Sequence, residues 1–455
     1  MEKNDHANIR ITSVNAEGYG TGTANGLVVF TRGALPGDYL QIKLVQVRKN
    51  FAYGKIVQVV DPSPHRLTGE NASRVCPLAE RCGGCIWQHC DYRAQLHFKK
   101  QMVRDAFLTI AGMADAPVCD VTGSASPYGY CNKAQYVVGG ADGRAAAGFY
   151  APRSHRLVEI KNCNIQHPSH EKILSRIMGF IAEQKILPYD EATHTGLARH
   201  ILIRTSFGTG ESMAALVING SAFPKRGAFI EALKGTGVTS VCYITNRSRT
   251  NAALAGSTHV LCGSGTLEEK IGGVAYSISP SSFFQVNHAQ ISVLYDTVLQ
   301  LADFCGCETV IDAHAGAGGI ALYVSRSVKN VTGIEISPQA AEDAKRNAAA
   351  NGMDNVKFVT GESEKVITDH VAGADAVILN PPRKGCGREL LDAIAASGVK
   401  KIIYVSCNPG TLARDVKILC GAGFMLECVR PVDMFPQTAH IECVCGMTRG
   451  GKPNC

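Results

Sequence analysis

Residues 309–322, TVIDAHAGAGGIAL, decide the fold of the carboxyl-terminal part of this chain. An apolar run, Thr309–Ala313, leads into a glycine-rich turn and then into an Ala- and Leu-rich segment that predicts a helix. Strand-like runs alternate with helical segments beyond it, at Val331–Ile336, Val356–Thr360, Ala376–Leu379 and Lys401–Ser406. This alternation predicts a doubly wound α/β domain, whose parallel sheet carries helices on both faces and binds ligands at the carboxyl ends of its strands.

The turn after the first of these strands is a candidate cofactor loop. Gly316 and Gly318 permit close approach of a ligand to the backbone. Glu335 ends the next strand, 23 residues beyond Asp312, where a carboxylate can bind the two hydroxyls of a ribose. NAD sites, S-adenosylmethionine sites and ordinary turns all contain such glycines, so the loop alone leaves the cofactor open.

The fourth strand ends in ILNPPRKGCG, residues 378–387. An Asn-Pro-Pro turn beginning at Asn380 suits methyltransferases that act on a nitrogen or a carbon of a base. Amino-group methyltransferases typically place an aromatic residue after the second proline, whereas this chain has Arg383 there.

The end of the fifth strand and the last apolar strand each carry a reactive group. Cys407 lies in YVSCNPGTLARD, residues 404–415, just before a predicted helix whose amino terminus can stabilise a thiolate. Glu442 lies in TAHIECVC, where burial of a carboxyl would raise its pKa towards that of a useful base. We therefore take Cys407 as a candidate nucleophile and Glu442 as a candidate base, against the alternatives of an inert cysteine and a structural glutamate.

A cysteine cluster stands in CPLAERCGGC, residues 76–85, with the spacing C-x5-C-x2-C. Cys76, Cys82 and Cys85 need a fourth ligand, for which Cys90 is near in sequence and Cys163 distant. Either would complete the all-thiolate set of an iron–sulfur cluster or of zinc.

The first sixty residues contain short β-type runs, including Leu27–Phe30, Gln41–Arg48 and Lys55–Val60, separated by turns at Gly18–Gly26 and Leu35–Asp38. Several short strands joined by tight turns predict a small closed barrel. The stretch GYGTGTANGLVVFTRGALPGDYLQIKLVQVRKNFAYGKIVQVV resembles a TRAM domain, an OB-like barrel found attached to RNA-modifying enzymes.

Composition and charge limit the class of protein. The chain has 455 residues, 45% hydrophobic and 19% charged, which predicts a folded protein of several domains. No apolar run approaches the roughly 18 residues of a membrane helix, and the first ten residues lack the apolar core of a secretory signal. We expect a cytoplasmic protein without a membrane partner, in which 18 cysteines stay reduced.

The basic surplus lies at the front of the chain. Its net charge is +7, and residues 1–100 hold 13 Lys and Arg against 8 Asp and Glu. Such an imbalance fits a polyanion such as nucleic acid, although many basic domains are only solvated.

Taken together, the motifs resemble those of the RNA uracil-5 methyltransferase family. The resemblance rests on CPLAERCGGC, SFFQVN (282–287), DAHAGAGGIAL (312–322), GIEISPQAAEDAKRNAAANG (333–352), LNPPRKG (379–385), VSCNPGTLARD (405–415) and VDMFPQTAHIE (432–442). It implies a Rossmann-like methyltransferase domain at 276–455, a mixed α+β central domain at 63–275 and the TRAM-like barrel at 1–62.

The resemblance also implies roles for individual residues. Cys407 would be the nucleophile and Glu442 the base, and a [4Fe–4S] cluster would be held by Cys76, Cys82, Cys85 and Cys163. The S-adenosylmethionine site would include Gln285, Asp312, His314, Gly316, Gly318, Glu335, Glu362 and Asn380. Two positions depart from the family pattern: His314-Ala315 replaces the frequent aromatic-Cys pair, and Glu362 replaces a frequent Asp.

The expected substrate is RNA. Within the family, the combination of barrel and cluster resembles the members that act on ribosomal RNA, which implies 23S ribosomal RNA rather than the T-loop of transfer RNA. We expect a monomer. Two other classes stay open: a base amino-group methyltransferase, which needs no cysteine, and a non-catalytic RNA-binding iron–sulfur protein, which needs neither Cys407 nor Glu442.

Overall fold

The computed structural model describes residues 1–141, 144–250 and 252–450. Its amino-terminal part is a closed barrel with strand order β1-β2-β3-β5-β4. The strands are β1 (His6–Val14), β2 (Gly20–Ala24), β3 (Leu27–Thr31), β4 (Tyr39–Val47) and β5 (Phe51–Asp61). Alternate residues of these strands, such as Ile9, Ile11, Leu40 and Ile42, fill the barrel core.

The glycine-rich segment Gly18–Gly26, predicted as a turn, contains strand β2. A Cβ at Gly20 would lie 2.7 Å from the Ala34 Cβ, and one at Gly22 would lie 2.5 Å from the Arg10 carbonyl oxygen. Glycine is therefore required here because neighbouring backbone passes close to the strand, a reason that local sequence does not reveal.

The middle of the chain forms a seven-stranded sheet with order β12-β11-β10-β9-β6-β7-β8. Its strands are β6 (Lys133–Ala141), β7 (Arg144–Tyr150), β8 (Leu157–Glu159), β9 (Ala198–Thr205), β10 (Ser212–Ile218), β11 (Val238–Thr245) and β12 (Ser257–Cys262). Helices α2 (Ser169–Glu183) and α3 (Arg226–Leu233) pack on it. Most neighbours are antiparallel, and β10 and β11 are parallel.

A long helix connects the barrel to the rest of the chain. α1 (Tyr92–Ala106) continues as a π-helical turn, Phe107–Ala111, so the winding of the helix changes after Ala106. Short 3-10 turns lie at Gly69–Arg74 and Ser325–Ser327.

The carboxyl-terminal part is the predicted α/β domain, with sheet order β17-β16-β15-β18-β19-β21-β20. Its strands are β15 (Thr309–Asp312), β16 (Asn330–Glu335), β17 (Val356–Thr360), β18 (Ala376–Leu379), β19 (Lys401–Ser406), β20 (Phe424–Val432) and β21 (Glu442–Arg449). β15 to β19 are parallel to one another, and β21 runs antiparallel between β19 and β20.

Helices cover both faces of this sheet. They are α4 (His288–Ala302), α5 (Gly319–Val324), α6 (Pro338–Ala350), α7 (Ser363–Val371), α8 (Arg388–Ala396) and α9 (Pro409–Gly421). Successive strand residues enter separate cores: Val310 packs with α4 to α6, whereas Ile311 packs with α7 to α9. This is why the strands are continuously apolar.

The hairpin of β13 (Leu267–Ile271) and β14 (Val274–Ile278) packs in the same core as α4 and α5. The boundary predicted at 275/276 therefore falls inside β14. Part of the segment expected in the central domain also joins the α/β core, since Val103, Phe107 and Val118 pack there. Among the described residues, no helix combines the length and apolarity needed to cross a bilayer.

Candidate active site

Cys407 lies at the carboxyl end of β19, directly before α9. The neighbouring Asn408 caps that helix, since its Oδ1 accepts the amides of Gly410 (3.0 Å) and Thr411 (3.5 Å). Pro409 begins the helix, a position that suits proline because no intrahelical bond is lost. The sequence thus fixes a half-buried thiol where the positive end of the helix dipole favours a thiolate.

Glu442 is the first residue of β21, the strand next to β19, and lies beside that thiol. Ser406 pairs with Cys443 in the antiparallel register of β19 and β21, which brings the next residues outward, Cys407 and Glu442, alongside each other. The Glu442 side chain is buried, and its Oε2 has no hydrogen-bond partner. A buried carboxyl oxygen without a partner is uncommon in structural positions and characteristic of reactive ones.

Burial and nearby charges shift the pKa values of both Glu442 and Cys407. Burial raises the pKa of Glu442 from 4.5 to about 8, and the nearby Arg383 guanidinium partly opposes that rise. The pKa of the Cys407 thiol is also raised, first by burial and then by the Glu442 carboxylate, while Arg383 lowers it. Arg383 is therefore the cation that favours ionisation of both groups.

Arg383 was noted in the sequence only because it is not aromatic. Its carbonyl oxygen accepts hydrogen bonds from Asn408 Nδ2 (3.0 Å) and Thr411 Oγ1 (3.4 Å), which tie the Asn-Pro-Pro loop to the start of α9. Its Nη2 lies 3.3 Å from His440 Nε2. Its position directly after Asn-Pro-Pro, at a strand end, was the signal that could have identified it.

The predicted cofactor loop joins β15 to α5, with Gly316 and Gly318 at φ +57° and +88°. Glu335, at the end of β16, accepts the Gly316 amide at 2.9 Å and the Ser337 amide at 2.7 Å. Its carboxylate is thus fixed across the loop. Burial raises the pKa of Asp312 to about 7.

The other predicted cofactor residues differ from one another in burial and in their contacts. Gln285 is buried, Asn380 half-buried, and Glu362 at the start of α7 forms an ion pair with Lys365 at 2.6 Å. His314 has a buried Nδ1 without a partner, and burial lowers its pKa to about 4. Its ring is neutral at physiological pH.

The segment around Gln285 is fixed from the central sheet. Asn132 donates its amide to the Val286 carbonyl at 2.9 Å and its Nδ2 to the Gln285 carbonyl at 3.3 Å. Phe284 is buried in the core, whereas Phe283 is 68% exposed. Phe284 is therefore a core residue, and Phe283 is not.

Five cysteines line one cavity of about 250 Å³: the four predicted ligands Cys76, Cys82, Cys85 and Cys163, and also Cys131, whose Sγ donates to the Lys133 carbonyl at 3.2 Å. The Gly84 amide donates to Cys82 Sγ at 3.4 Å and Gln88 Nε2 donates to Cys85 Sγ at 3.3 Å. Backbone amides of Ile165 and Gln166 face Cys163. Thiols that receive N–H donors around an enclosed space fit a cluster, whose thiolates lie farther apart than ligands of a single ion.

Cys90 lies elsewhere. It is buried with Trp87 and Phe98, and its Sγ contacts the Asp91 carbonyl at 3.4 Å. It does not line the cavity that contains the predicted ligands.

A compact group that the sequence analysis did not single out lies on the loop before β15. Cys305, Cys307 and Glu308 bring one ligand atom each within 4.8 Å of one another. The Glu308 carboxylate already accepts the amides of Cys305 (2.6 Å) and Gly306 (3.0 Å), so these contacts explain its position without an ion.

Comparison with known proteins adds to this geometry. The family model for tRNA (uracil-5-)-methyltransferases matches residues 265–449, and the TRAM domain model matches residues 4–57, which confirms the predicted barrel type. A protein of Clostridium tetani, named an uncharacterized RNA methyltransferase, is 40% identical over 456 residues, covering 99% of this chain and 98% of that protein. A protein of the same description from Caldanaerobacter subterraneus is 41% identical over 441 residues, covering 96% of each.

A solved structure is similar over nearly the whole chain. It is the Pyrococcus abyssi tRNA (uracil-54, C5)-methyltransferase in complex with S-adenosyl-L-homocysteine, with 26% identity and a TM-score of 0.78. The similarity covers 97% of this chain and 100% of that one.

Proposed function

Because this chain belongs to the RNA uracil-5 methyltransferase family of S-adenosylmethionine-dependent enzymes, we propose that it methylates carbon 5 of a uridine in 23S ribosomal RNA through a covalent adduct with Cys407. The observation that carries the proposal is the pairing of a half-buried thiol with a buried, unpartnered carboxyl on adjacent strands. An amino-group methyltransferase needs neither group. A non-catalytic RNA-binding protein would have no use for the pair.

The roles of the two residues follow from the chemistry of uracil. Carbon 5 is a weak nucleophile until a thiolate adds to carbon 6, and Cys407 supplies that thiolate, favoured by the helix dipole and by Arg383. S-adenosylmethionine, when bound, supplies the methyl group as a sulfonium electrophile. Glu442 then accepts the proton of carbon 5, after which the thiolate is expelled and carbon 5–carbon 6 unsaturation returns.

The pKa of Glu442 suits that step. A carboxylate whose pKa is about 8 is a stronger base than an exposed one, but only its ionised fraction can act. The rate of product release should therefore rise with pH up to about pH 8.

We assign the cofactor to the carboxyl ends of the parallel strands, at the loop that joins β15 to α5. Glu335 would accept the ribose hydroxyls in place of backbone amides, and the glycines would let the ligand contact the backbone. The full proposed set is Gln285, Asp312, His314, Gly316, Gly318, Glu335, Glu362 and Asn380.

We assign a [4Fe–4S] cluster to Cys76, Cys82, Cys85 and Cys163. Soft thiolates that surround one cavity, together with amide donors to three of them, support this assignment. The protein would consist of a barrel at 1–62, a central domain that carries the cluster, and a methyltransferase domain that begins before β13 rather than at residue 276. The barrel, which lies within the basic first hundred residues, would bind RNA in the cytoplasm.

Transfer RNA is the second candidate substrate. The observation in its favour is the similarity to an archaeal enzyme described as acting on uracil 54 of tRNA. Mass spectrometry of separately purified 23S ribosomal RNA and tRNA from a deletion strain decides between them: loss of 5-methyluridine from the first supports our proposal, and loss from the second alone replaces it.

Cys407→Ala tests the nucleophile. The variant should lose methylation and keep cofactor binding, because the thiol attacks the base rather than the cofactor. RNA containing 5-fluorouridine should form a covalent complex with the native protein and none with the variant. A complex with Cys407→Ala would assign the nucleophile to another residue.

Glu442→Gln tests the base. Thiol addition and methyl transfer should persist, whereas elimination should fail, so the variant should accumulate a methyl-labelled protein–RNA complex with ordinary RNA. Denaturing electrophoresis with labelled cofactor detects it. A folded, inactive variant without a labelled complex would remove the base assignment.

A further inference from the structure

The segment Asp433–Glu442, which leads to the candidate base, is held by residues outside its own domain. The amides of Ile86 and Trp87 both donate to the Gln437 carbonyl, at 3.0 and 3.1 Å. These two residues directly follow Cys85, one of the cysteines that line the cavity. The cysteine-bearing loop and the turn before Glu442 are therefore joined by backbone hydrogen bonds.

Gln95 on α1 is at the centre of this junction. It is fully buried, and its Oε1 accepts the Gln437 amide at 3.0 Å. Its Nε2 lies 3.1 Å from Gln437 Oε1, 3.1 Å from the Trp87 carbonyl and 3.0 Å from the Cys90 carbonyl. One side chain thus connects the cysteine-bearing loop with the turn before the base.

Two further contacts restrain the same turn. Lys99, one helical turn after Gln95, forms a buried ion pair with Asp433 at 2.6 Å and donates to the Phe435 carbonyl at 3.1 Å. Tyr130 donates its hydroxyl to the Pro436 carbonyl at 2.9 Å.

The turn does not hold this shape by itself. Gln437 has φ +70°, in the left-handed region that a residue with a Cβ adopts only when its surroundings impose it. β21 begins five residues later at Glu442, so the turn determines where the strand enters the sheet. A shift there would move Glu442 relative to Cys407.

We propose that Gln95 is a positioning residue for Glu442, and that through it the cysteine-bearing loop at 76–90 anchors the catalytic base. This inference rests on the proposed function, since it assumes that Glu442 removes the carbon 5 proton. In this arrangement the loop and its proposed cluster hold the turn in place and take no part in the chemistry.

Gln95→Met tests the proposal. Methionine fills nearly the same volume but makes none of the four polar contacts. We expect kcat to fall about 10- to 100-fold, the cost of a small misplacement of a catalytic group, while KM for RNA changes less than about twofold. Because the base is then misplaced, the methyl-labelled covalent complex should accumulate with ordinary RNA.

Gln101→Ala is the matched control. Gln101 is on the same helix but exposed, and its Nε2 donates only to Asp105 at 2.7 Å. This variant should behave as the native protein in every assay.

A second variant tests the turn with less disturbance. Gln437→Gly removes the contact between the two glutamine side chains, relieves the backbone conformation and keeps the bonds of the Gln437 backbone. It should lose less activity than Gln95→Met. Hydrogen exchange of amides 433–442 should quicken in Gln95→Met and change little in Gln437→Gly.

The outcomes separate this inference from the proposed function. Gln95→Met should still form a covalent complex with 5-fluorouridine RNA, because Cys407 is intact. If the native protein formed no such complex, that result would refute the nucleophilic mechanism rather than the positioning role. Normal kcat in Gln95→Met, or a loss of kcat without accumulated complex and without faster exchange at 433–442, would overturn the positioning role.

Discussion

Glu442→Gln should make the protein more stable at neutral pH, although it removes a residue that the chemistry requires. Burial raises the pKa of Glu442 from 4.5 to about 8, so the folded protein keeps a proton that the unfolded chain releases above pH 4.5. Stability is therefore lost as pH rises from about 4.5 to 8. Glutamine has no proton to release, so the variant avoids this loss.

The magnitude follows from the two pKa values. Each pH unit in that window corresponds to about 1.4 kcal/mol. Relative to Glu442→Gln, the native protein should thus lose roughly 3 kcal/mol of stability between pH 4.5 and pH 7, and about 5 kcal/mol by pH 8. Below pH 4.5 the difference should be independent of pH, and it then measures only how well the amide fits the site.

Urea unfolding followed by tryptophan fluorescence provides the assay. Trp87 is the single tryptophan of the sequence; it is buried with Ala439, three residues before Glu442. Its signal therefore reports the region concerned. A stability difference between native and variant protein that does not change between pH 5 and pH 8 would refute the assignment of a raised pKa to this buried carboxyl.

Three more predictions concern other parts of the molecule. Anaerobically purified protein should be brown, with about four irons, and serine in place of Cys76, Cys82, Cys85 or Cys163 should bleach it, whereas Cys90→Ser should not; iron analysis checks this, and bleaching by Cys90→Ser would reassign the fourth ligand. Glu335→Gln should weaken cofactor binding about 10- to 100-fold, because a charged acceptor is lost, as measured by calorimetry; an unchanged affinity would remove Glu335 from the cofactor site. Lys99→Met should lower the free energy of unfolding by about 3–5 kcal/mol, because it leaves Asp433 buried without its cation, and Lys99→Met/Asp433→Leu should recover most of the loss; equal losses in the single and double variants would show that packing, not charge, is responsible.

The α/β part of the fold was predictable because its signal is local. Val356–Thr360, Ala376–Leu379 and Lys401–Ser406 were predicted with the bounds that the structure has. Parallel strands covered on both faces are short apolar runs between polar helices, and the sequence alone displays that contrast. The same local contrast indicates that Cys407 directly follows a strand and that Glu442 belongs to one.

The features that the sequence did not predict depend on contacts between residues that are distant in sequence. Gly20 and Gly22 form a strand because Ala34 and Arg10 approach them, and the glycines by themselves indicate only a turn. The electrostatic role of Arg383 depends on how β18, β19 and β21 come together. Gln95 is an ordinary helical glutamine until its partner, 342 residues away, is known.

That separation has a consequence for how the protein matures. Joining chain segments more than three hundred residues apart requires closing a very large loop, and such contacts form late during folding. The junction between Gln95 and Gln437 should therefore be among the last parts to assemble. Until it does, Glu442 has no fixed place beside Cys407, so partly folded molecules would be unable to complete turnover, and the appearance of methylated RNA would report the final folding step.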